Sequence, residues 1–174
     1  MPTSAFSHLA LGCPDIELFR RFYCGVFDFA PAEGTFVAAG EDMVKLLEVP
    51  DADLEGLFIK KDGIFLELLR YENSFESREL PAKDNAYGYV HLSFRVSDLD
   101  ETCAKVEELG GTVLPDTRIG LGDPDEGEPA QIMFVLDPGG NRIELIQHPD
   151  EAAIVAHRDF IKTGALGWAE VRLD

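Results

Sequence analysis

The sequence predicts an α+β fold made of two successive modules, each running strand, helix, then about three strands (βαβββ). Three observations carry this. A short apolar strand, a turn and an amphipathic helix occur at the amino terminus and again from residue 89. Each helix is followed by apolar runs separated by Gly- or Pro-containing turns. The polar landmarks of the two halves also fall at matching spacings, the mark of an internal repeat. With 174 residues, 45% of them hydrophobic, the chain is long enough to pack a real core in one or two small domains.

In the first module, residues 1–72, the stretch AFSHLALG (5–12) is the expected first strand and Pro14-Asp15 punctuates it. Ile16, Phe19, Phe22, Tyr23, Val26 and Phe27 then recur at helical spacing. Residues 35–39 (TFVAA) and 43–49 (MVKLLEV) flank a Gly-Glu-Asp turn and are expected to pair as a hairpin. Residues 56–71 (GLFIKKDGIFLELLRY) repeat that pattern around Lys-Asp-Gly. Lys60-Lys61 at its tip reads as a solubilising turn rather than a phosphate anchor. Residues 73–86 are polar, contain a proline and show no period, as a linker loop would.

The second module, residues 87–148, restarts the order. Residues 89–96 (YVHLSFRV) read as a strand, and Leu99, Cys103, Val106 and Leu109 as a helix face. Asp98 is its N-cap, Glu101 completes a capping-box pattern and Gly110-Gly111 ends it. Residues 112–114 begin a further strand, and residues 120–130 (GLGDPDEGEPA) form an acidic loop. Residues 131–136 (QIMFVL) and 141–147 (NRIELIQ) are strands around an Asp-Pro-Gly-Gly turn. Residues 149–174 lie outside the repeat and suit a short helix over 150–163 with a docked tail or interface segment. Trp168 there reads as packing, and His157 has no counterpart in the repeat.

The repeat gives meaning to four polar residues. His8 precedes Asp15 by seven positions and His91 precedes Asp98 by seven, which puts each histidine on the first strand of its module. Glu67 and Glu144 each stand four residues after a turn glycine, Gly63 and Gly140, and each is followed by aliphatic residues. Singly, such a histidine is ordinarily a hydrogen-bonded core or solvent-face residue, and such a glutamate lies on a wet strand face. Yet both glutamates sit among apolar neighbours, where an unpaired charge costs several kcal/mol, to order of magnitude. A pseudo-twofold packing of the modules would bring His8, Glu67, His91 and Glu144 to one locus. Two imidazoles and two carboxylates suit a divalent ion such as Zn, Ni, Co, Mn or Fe.

Composition narrows the partners. Thirty-three acidic against 15 basic residues give a net charge of -18, so nucleic acid is not an expected partner and polyanionic ligands are disfavoured. Cys13, Cys24 and Cys103 are odd in number and widely spaced, which indicates thiols in a reducing compartment rather than a disulfide framework. The segment MPTSAFSHLALGC lacks the features of a secretory signal, and no run approaches the about 18 apolar residues of a membrane span. The expectation is a cytoplasmic protein that does not enter a membrane.

Four stretches in order carry a family resemblance: HLALGCPDIELFRRFYCGVFDF, GIFLELLRY, HLSFRVSDLDETCAKVEELGGTV and QIMFVLDPGGNRIELIQ. Over roughly residues 5–148 the chain resembles the vicinal-oxygen-chelate superfamily, which includes glyoxalase I, methylmalonyl-CoA epimerase, type I extradiol dioxygenases and bleomycin-resistance proteins. The resemblance implies two βαβββ modules forming a curved mixed sheet around a metal-binding cleft. His8, Glu67, His91 and Glu144 fall on the four ligand positions. It further implies a metal-dependent lyase or isomerase that moves a proton next to the metal-bound carbonyl of a small substrate, with Glu144 favoured as the base and Glu67 as its partner. One-base and two-base forms are both consistent with this set.

Three other readings follow from the same resemblance. A 2-methylacyl-CoA epimerase usually has Gln at the second ligand position, where this chain has Glu67. An extradiol-type dioxygenase uses two His and one Glu, which a fourth ligand disfavours. A metal-free, resistance-type binding protein usually lacks the full set. Tyr71, Tyr87, Tyr89, Phe94 and Arg142 are candidates for lining either the cleft or the core. A homodimer is expected, with the carboxy-terminal tail as a contact.

Overall fold

The computed structural model describes residues 4–32, 34–74, 87–121 and 130–147. The chain divides into two compact units, Met1–Glu79 and Leu80–Asp174. The expected linker beyond Ser74, most of the acidic loop at 120–130, and the segment at 149–174 with His157 and Trp168 lie outside the described residues. The fold is α+β, with one mixed sheet in each unit.

The first unit contains β1 (Leu9–Gly12), α1 (Ile16–Phe27), β2 (Ala30–Pro31), β3 (Phe36–Ala39), α2 (Glu41–Leu47), β4 (Asp53–Lys61) and β5 (Ile64–Tyr71). Its sheet has the order β1-β5-β4-β2, with β3 also paired to β4. β1 and β5 are parallel and the other pairs antiparallel.

α1 begins where Asp15, in an extended conformation, accepts the Leu18 N–H on its side chain at 2.9 Å. All six residues placed on its apolar face by spacing are buried. They pack against β4 and β5, whose Leu57, Ile59, Leu66 and Leu68 fill the same core. Each such aliphatic side chain contributes roughly 1.5–3 kcal/mol when taken out of water. The helix stops at Asp28, which takes a left-handed conformation at φ 56°. Lys61 Nζ donates to the Phe27 carbonyl at 2.6 Å and lies 3.8 Å from the Asp28 carboxylate. A cation here complements the exposed carbonyls of a helix end, so Lys61 ties the hairpin to α1 instead of only solubilising it.

The hairpin expected between 35–39 and 43–49 is not formed; residues 41–47 are the helix α2, and β3 pairs with β4 instead. Gly40, at φ 96°, breaks the strand, and its carbonyl accepts from Met43 N and Val44 N. Glu41 and Asp42 in the first turn and Lys45 in the last match the helix dipole. A short apolar run such as MVKLLEV has no decisive period, and tertiary pairing settles its state.

The second unit contains β6 (Leu92–Val96), α3 (Leu99–Glu108), β7 (Thr112–Leu121), β8 (Ala130–Leu136) and β9 (Arg142–Gln147), in the sheet order β6-β9-β8-β7. Here too the first strand lies parallel to the last. Asp98 caps α3 by accepting the Glu101 N–H at 2.8 Å. The capping box is only half made, because the Glu101 carboxylate pairs with Lys105 at 2.9 Å. The Leu99 N–H is met from another element, by Gln147 Oε1 at 2.7 Å.

β7 is longer than the stretch anticipated at 112–114. Its register shifts between Leu114 and Ile119, where Pro115 cannot donate to the ladder. The Thr117 hydroxyl spans the irregularity, donating to the Leu114 carbonyl at 2.7 Å and accepting the Phe134 N–H at 2.9 Å. Among the described residues no helix is long and apolar enough to cross a membrane.

Candidate metal centre

In the first unit, Asp62 and Gly63 both take positive φ, 50° and 81°, as a two-residue hairpin turn between antiparallel strands requires. That turn fixes the register of β5 against β4, so Glu67 lies opposite Phe58, Leu66 opposite Ile59 and Leu68 opposite Leu57. Strand alternation then sends the leucines into the core under α1 and Glu67 to the other face. On the parallel side Glu67 is level with Ala10, two residues beyond His8. His8 Nε2 stands 3.2 Å from Glu67 Oε2, and the carboxylate side chain is only 15% exposed. The His8 ring also meets the Phe58 ring edge-on at 5.4 Å between centroids, and its Nδ1 is 2.9 Å from Ser7 Oγ.

The second unit builds the same arrangement by a different turn. Asp137 is 2% exposed, and its carboxylate accepts the N–H groups of Gly139 and Asn141 at 2.9 Å and the Asn141 side-chain amide. Gly140 takes the positive φ the turn needs, 80°. Glu144 is thereby set opposite Phe134 on β8 and level with Ser93 on β6, two residues beyond His91. The His91 ring meets the Phe134 ring edge-on at 5.5 Å between centroids. Its Nε2 is 3.9 Å from Glu144 Oε2, and Ser93 Oγ donates to that same oxygen at 2.6 Å. The Arg142 guanidinium lies over the Phe134 ring, 4.4 Å from its centroid.

The structure therefore brings His8 to Glu67 and His91 to Glu144. Among the described residues no group of three or more His, Cys, Asp or Glu side chains is assembled. The donor chemistry of each pair fits a divalent ion. Two ligand atoms at adjacent positions of an ion with bonds of about 2.1 Å stand about 3 Å apart. The 3.2 Å of the first pair matches that separation; the 3.9 Å of the second requires Glu144 to swing toward His91. Each pair alone would leave most of an ion's positions to water.

Phe58, Phe134 and Ser93 belong to the two constellations and were not singled out by sequence. The available signal was modest: Ser93 shares the strand face of His91, and each phenylalanine stands nine or ten residues before its glutamate across a hairpin. Of the other candidates, Arg142 and Tyr71 share the parity of Glu144 and Glu67, whereas Phe94 alternates to the side of the buried Ile143 and Leu145. Tyr87 and Tyr89 are fully or almost fully exposed.

Comparison with known proteins gives a consistent result. The family model described as Glyoxalase/Bleomycin resistance protein/Dioxygenase superfamily matches residues 5–145. A probable lactoylglutathione lyase of Vibrio cholerae is 39% identical over 66 residues, 38% of this chain and 43% of that protein. One of Synechocystis sp. is 23% identical over 144 residues, 80% of this chain and 92% of that protein. The chain thus spans about half the length of the first curated relatives it matches. In fold it is similar to a glyoxalase family protein from Bacillus cereus, with a TM-score of 0.68, 17% identity, and coverage of 84% of this chain and 95% of that one.

Proposed function

We propose, for a chain that belongs to the Glyoxalase/Bleomycin resistance protein/Dioxygenase superfamily, a divalent-metal-dependent lyase or isomerase that moves a proton next to a carbonyl. His8, Glu67, His91 and Glu144 would together hold one ion. The observation that carries the reading is the duplication of one constellation, in which histidine, phenylalanine and glutamate recur on matched strands with ring separations of 5.4 and 5.5 Å. A merely structural His–Glu contact has no reason to be built twice by two unlike turns.

When bound, the ion would supply Lewis acidity toward the substrate carbonyl, which makes the neighbouring C–H acidic. The protein does the rest. His8 and His91 would present Nε2 to the ion, each ring having a phenylalanine edge-on beside it. The two carboxylates offset the charge of the ion. Glu144 would take the proton from the carbon beside the carbonyl and return it to the carbonyl carbon while the hydroxyl proton of the first carbon passes to the former carbonyl oxygen, an internal redistribution that needs no external oxidant or reductant. Glu67 would serve as its partner carboxylate. The relatives named as lactoylglutathione lyases support a thiol adduct of a 2-oxoaldehyde as substrate, and the carboxylate at Glu67 favours this over an acyl-CoA epimerase.

Elemental analysis of the purified protein tests the metal. A bound divalent ion whose content falls in His91→Ala and in His8→Ala is expected; an absence of metal, or a content untouched by both substitutions, would sink the site. Deuterium incorporation from D2O into methylglyoxal–thiol adducts tests the chemistry, and no incorporation in the metal-loaded protein would remove that substrate class.

A further inference from the structure

The two glutamates occupy equivalent strand positions but have unlike neighbours on the parallel side. Glu67 is level with Ala10, whose methyl group offers it nothing, and its Oε2 lies 3.2 Å from His8 Nε2. Glu144 is level with Ser93, whose hydroxyl donates to Oε2 at 2.6 Å, and that same oxygen stands back from His91 Nε2 at 3.9 Å. A hydroxyl-to-carboxylate hydrogen bond of this length is charge-assisted and among the stronger kinds available to a side chain. One oxygen of Glu144 is thus held by Ser93 at a place short of close contact with His91.

We infer that Ser93 is a positioning residue that holds Glu144 away from His91, and so makes Glu144, rather than Glu67, the carboxylate that leaves the ion to carry the proton. The inference rests on the four-residue metal site proposed above. A carboxylate fully engaged as a ligand has little basicity to spare, and one that has left without a partner must be resolvated at a cost. Ser93 supplies a partner at the released position, within the same strand pair. In the first unit Ala10 supplies none at the matching position, so Glu67 keeps its place beside His8. Between the strands that carry the two glutamates, the difference at this level is Ala10 against Ser93.

The sign of the effect on metal affinity separates this from a plain supporting role. If Ser93 only braced a bound ligand, its removal would weaken the ion, as loss of an outer hydrogen bond typically does by about 10–100-fold. If it draws Glu144 away, Ser93→Ala tightens the ion, by roughly tenfold on the scale of one charge-assisted hydrogen bond. The measurement is the dissociation constant of Zn and of Ni by chelator competition on the whole chain, for wild type, Ser93→Ala, Ser93→Thr and Ala10→Ser. Tighter binding in Ser93→Ala with a lower kcat and little change in KM, a wild-type constant restored in Ser93→Thr, and weaker binding in Ala10→Ser are expected. Equal or weaker binding in Ser93→Ala overturns the inference while leaving the metal site standing. A wild-type protein that binds neither ion overturns both.

Discussion

The two modules place the same three side-chain types at the same positions and surround them differently. In the first, the glutamate face is apolar and aromatic: Phe36 from β3 stacks on Phe58 at 5.8 Å, directly over Gly56, and Phe58 abuts His8. In the second, Ile132 fills the position matching Gly56, Arg142 lies over Phe134, and Ser93 reaches Glu144. The scaffold is fixed by strand order, which is shared; the environment of each glutamate is set by whichever residue pairing brings across the strand. A duplicated fold can in this way keep a ligand set symmetric while giving its two carboxylates different work.

The sharpest way to break the comparison is to neutralise the carboxylates one at a time. Glu144→Gln is expected to lower turnover by about 10²–10⁴-fold, the usual worth of a positioned base. Glu67→Gln should act mainly through weaker metal retention, read as metal content per chain. Equal turnover losses at matched metal loading would show that the modules are functionally equivalent.

A smaller effect tests the packing difference. A Cβ at Gly56 would run into the tip of the Phe36 ring, so Gly56→Val must displace that ring from its stack. A cost of about 1–3 kcal/mol is expected from urea unfolding, partly recovered when Phe36→Ala is added. Ile132→Ala, at the matching position of the second unit, should instead leave a cavity and gain nothing from a substitution at Ile119 across the strand. Next come the helix caps, where the modules are alike. Asp15→Ala and Asp98→Ala should each cost about 1 kcal/mol, and a large inequality between them would show that the two helices are not equivalently held.

The smallest effect concerns the Cys103 thiol on α3. Burial, reinforced by Asp100 and opposed by Arg118, pushes the Cys103 thiol up from 9.0 to about 11. The unfolded chain therefore loses this proton first, and the contribution of Cys103 to stability, full below pH 9.0, declines as pH rises toward about 11. Unfolding midpoints measured across that window should fall less in Cys103→Ala than in wild type. On α1, Cys24 is shifted in the same direction, also by burial.

Much of this was legible from the residues. Helix faces announced themselves through spacing, as Ile16, Phe19, Phe22, Tyr23, Val26 and Phe27 show, because an amphipathic helix is a short-range pattern with its own period. Residue 41 onward was misread because MVKLLEV satisfies a strand and a helix about equally. The full extent of β7 is not legible, because Pro115 ends a strand by local rules unless a side chain such as Thr117 repairs the ladder.

By itself, then, the sequence determined the two modules, the histidines and glutamates at matching positions, and the turn chemistry of Asp62-Gly63 and Asp137-Gly140 that sets their register. These are local or repetitive signals, and they survive reading along one dimension. Tertiary structure decided that Phe58 and Phe134 lie opposite the glutamates, that Ala10 is level with one and Ser93 with the other, and that β3 pairs with β4. Except for the two hairpin phenylalanines, these neighbours come from strands distant in sequence, and only hydrogen-bonded register, held by the buried leucines and isoleucines on the opposite face, brings them side by side.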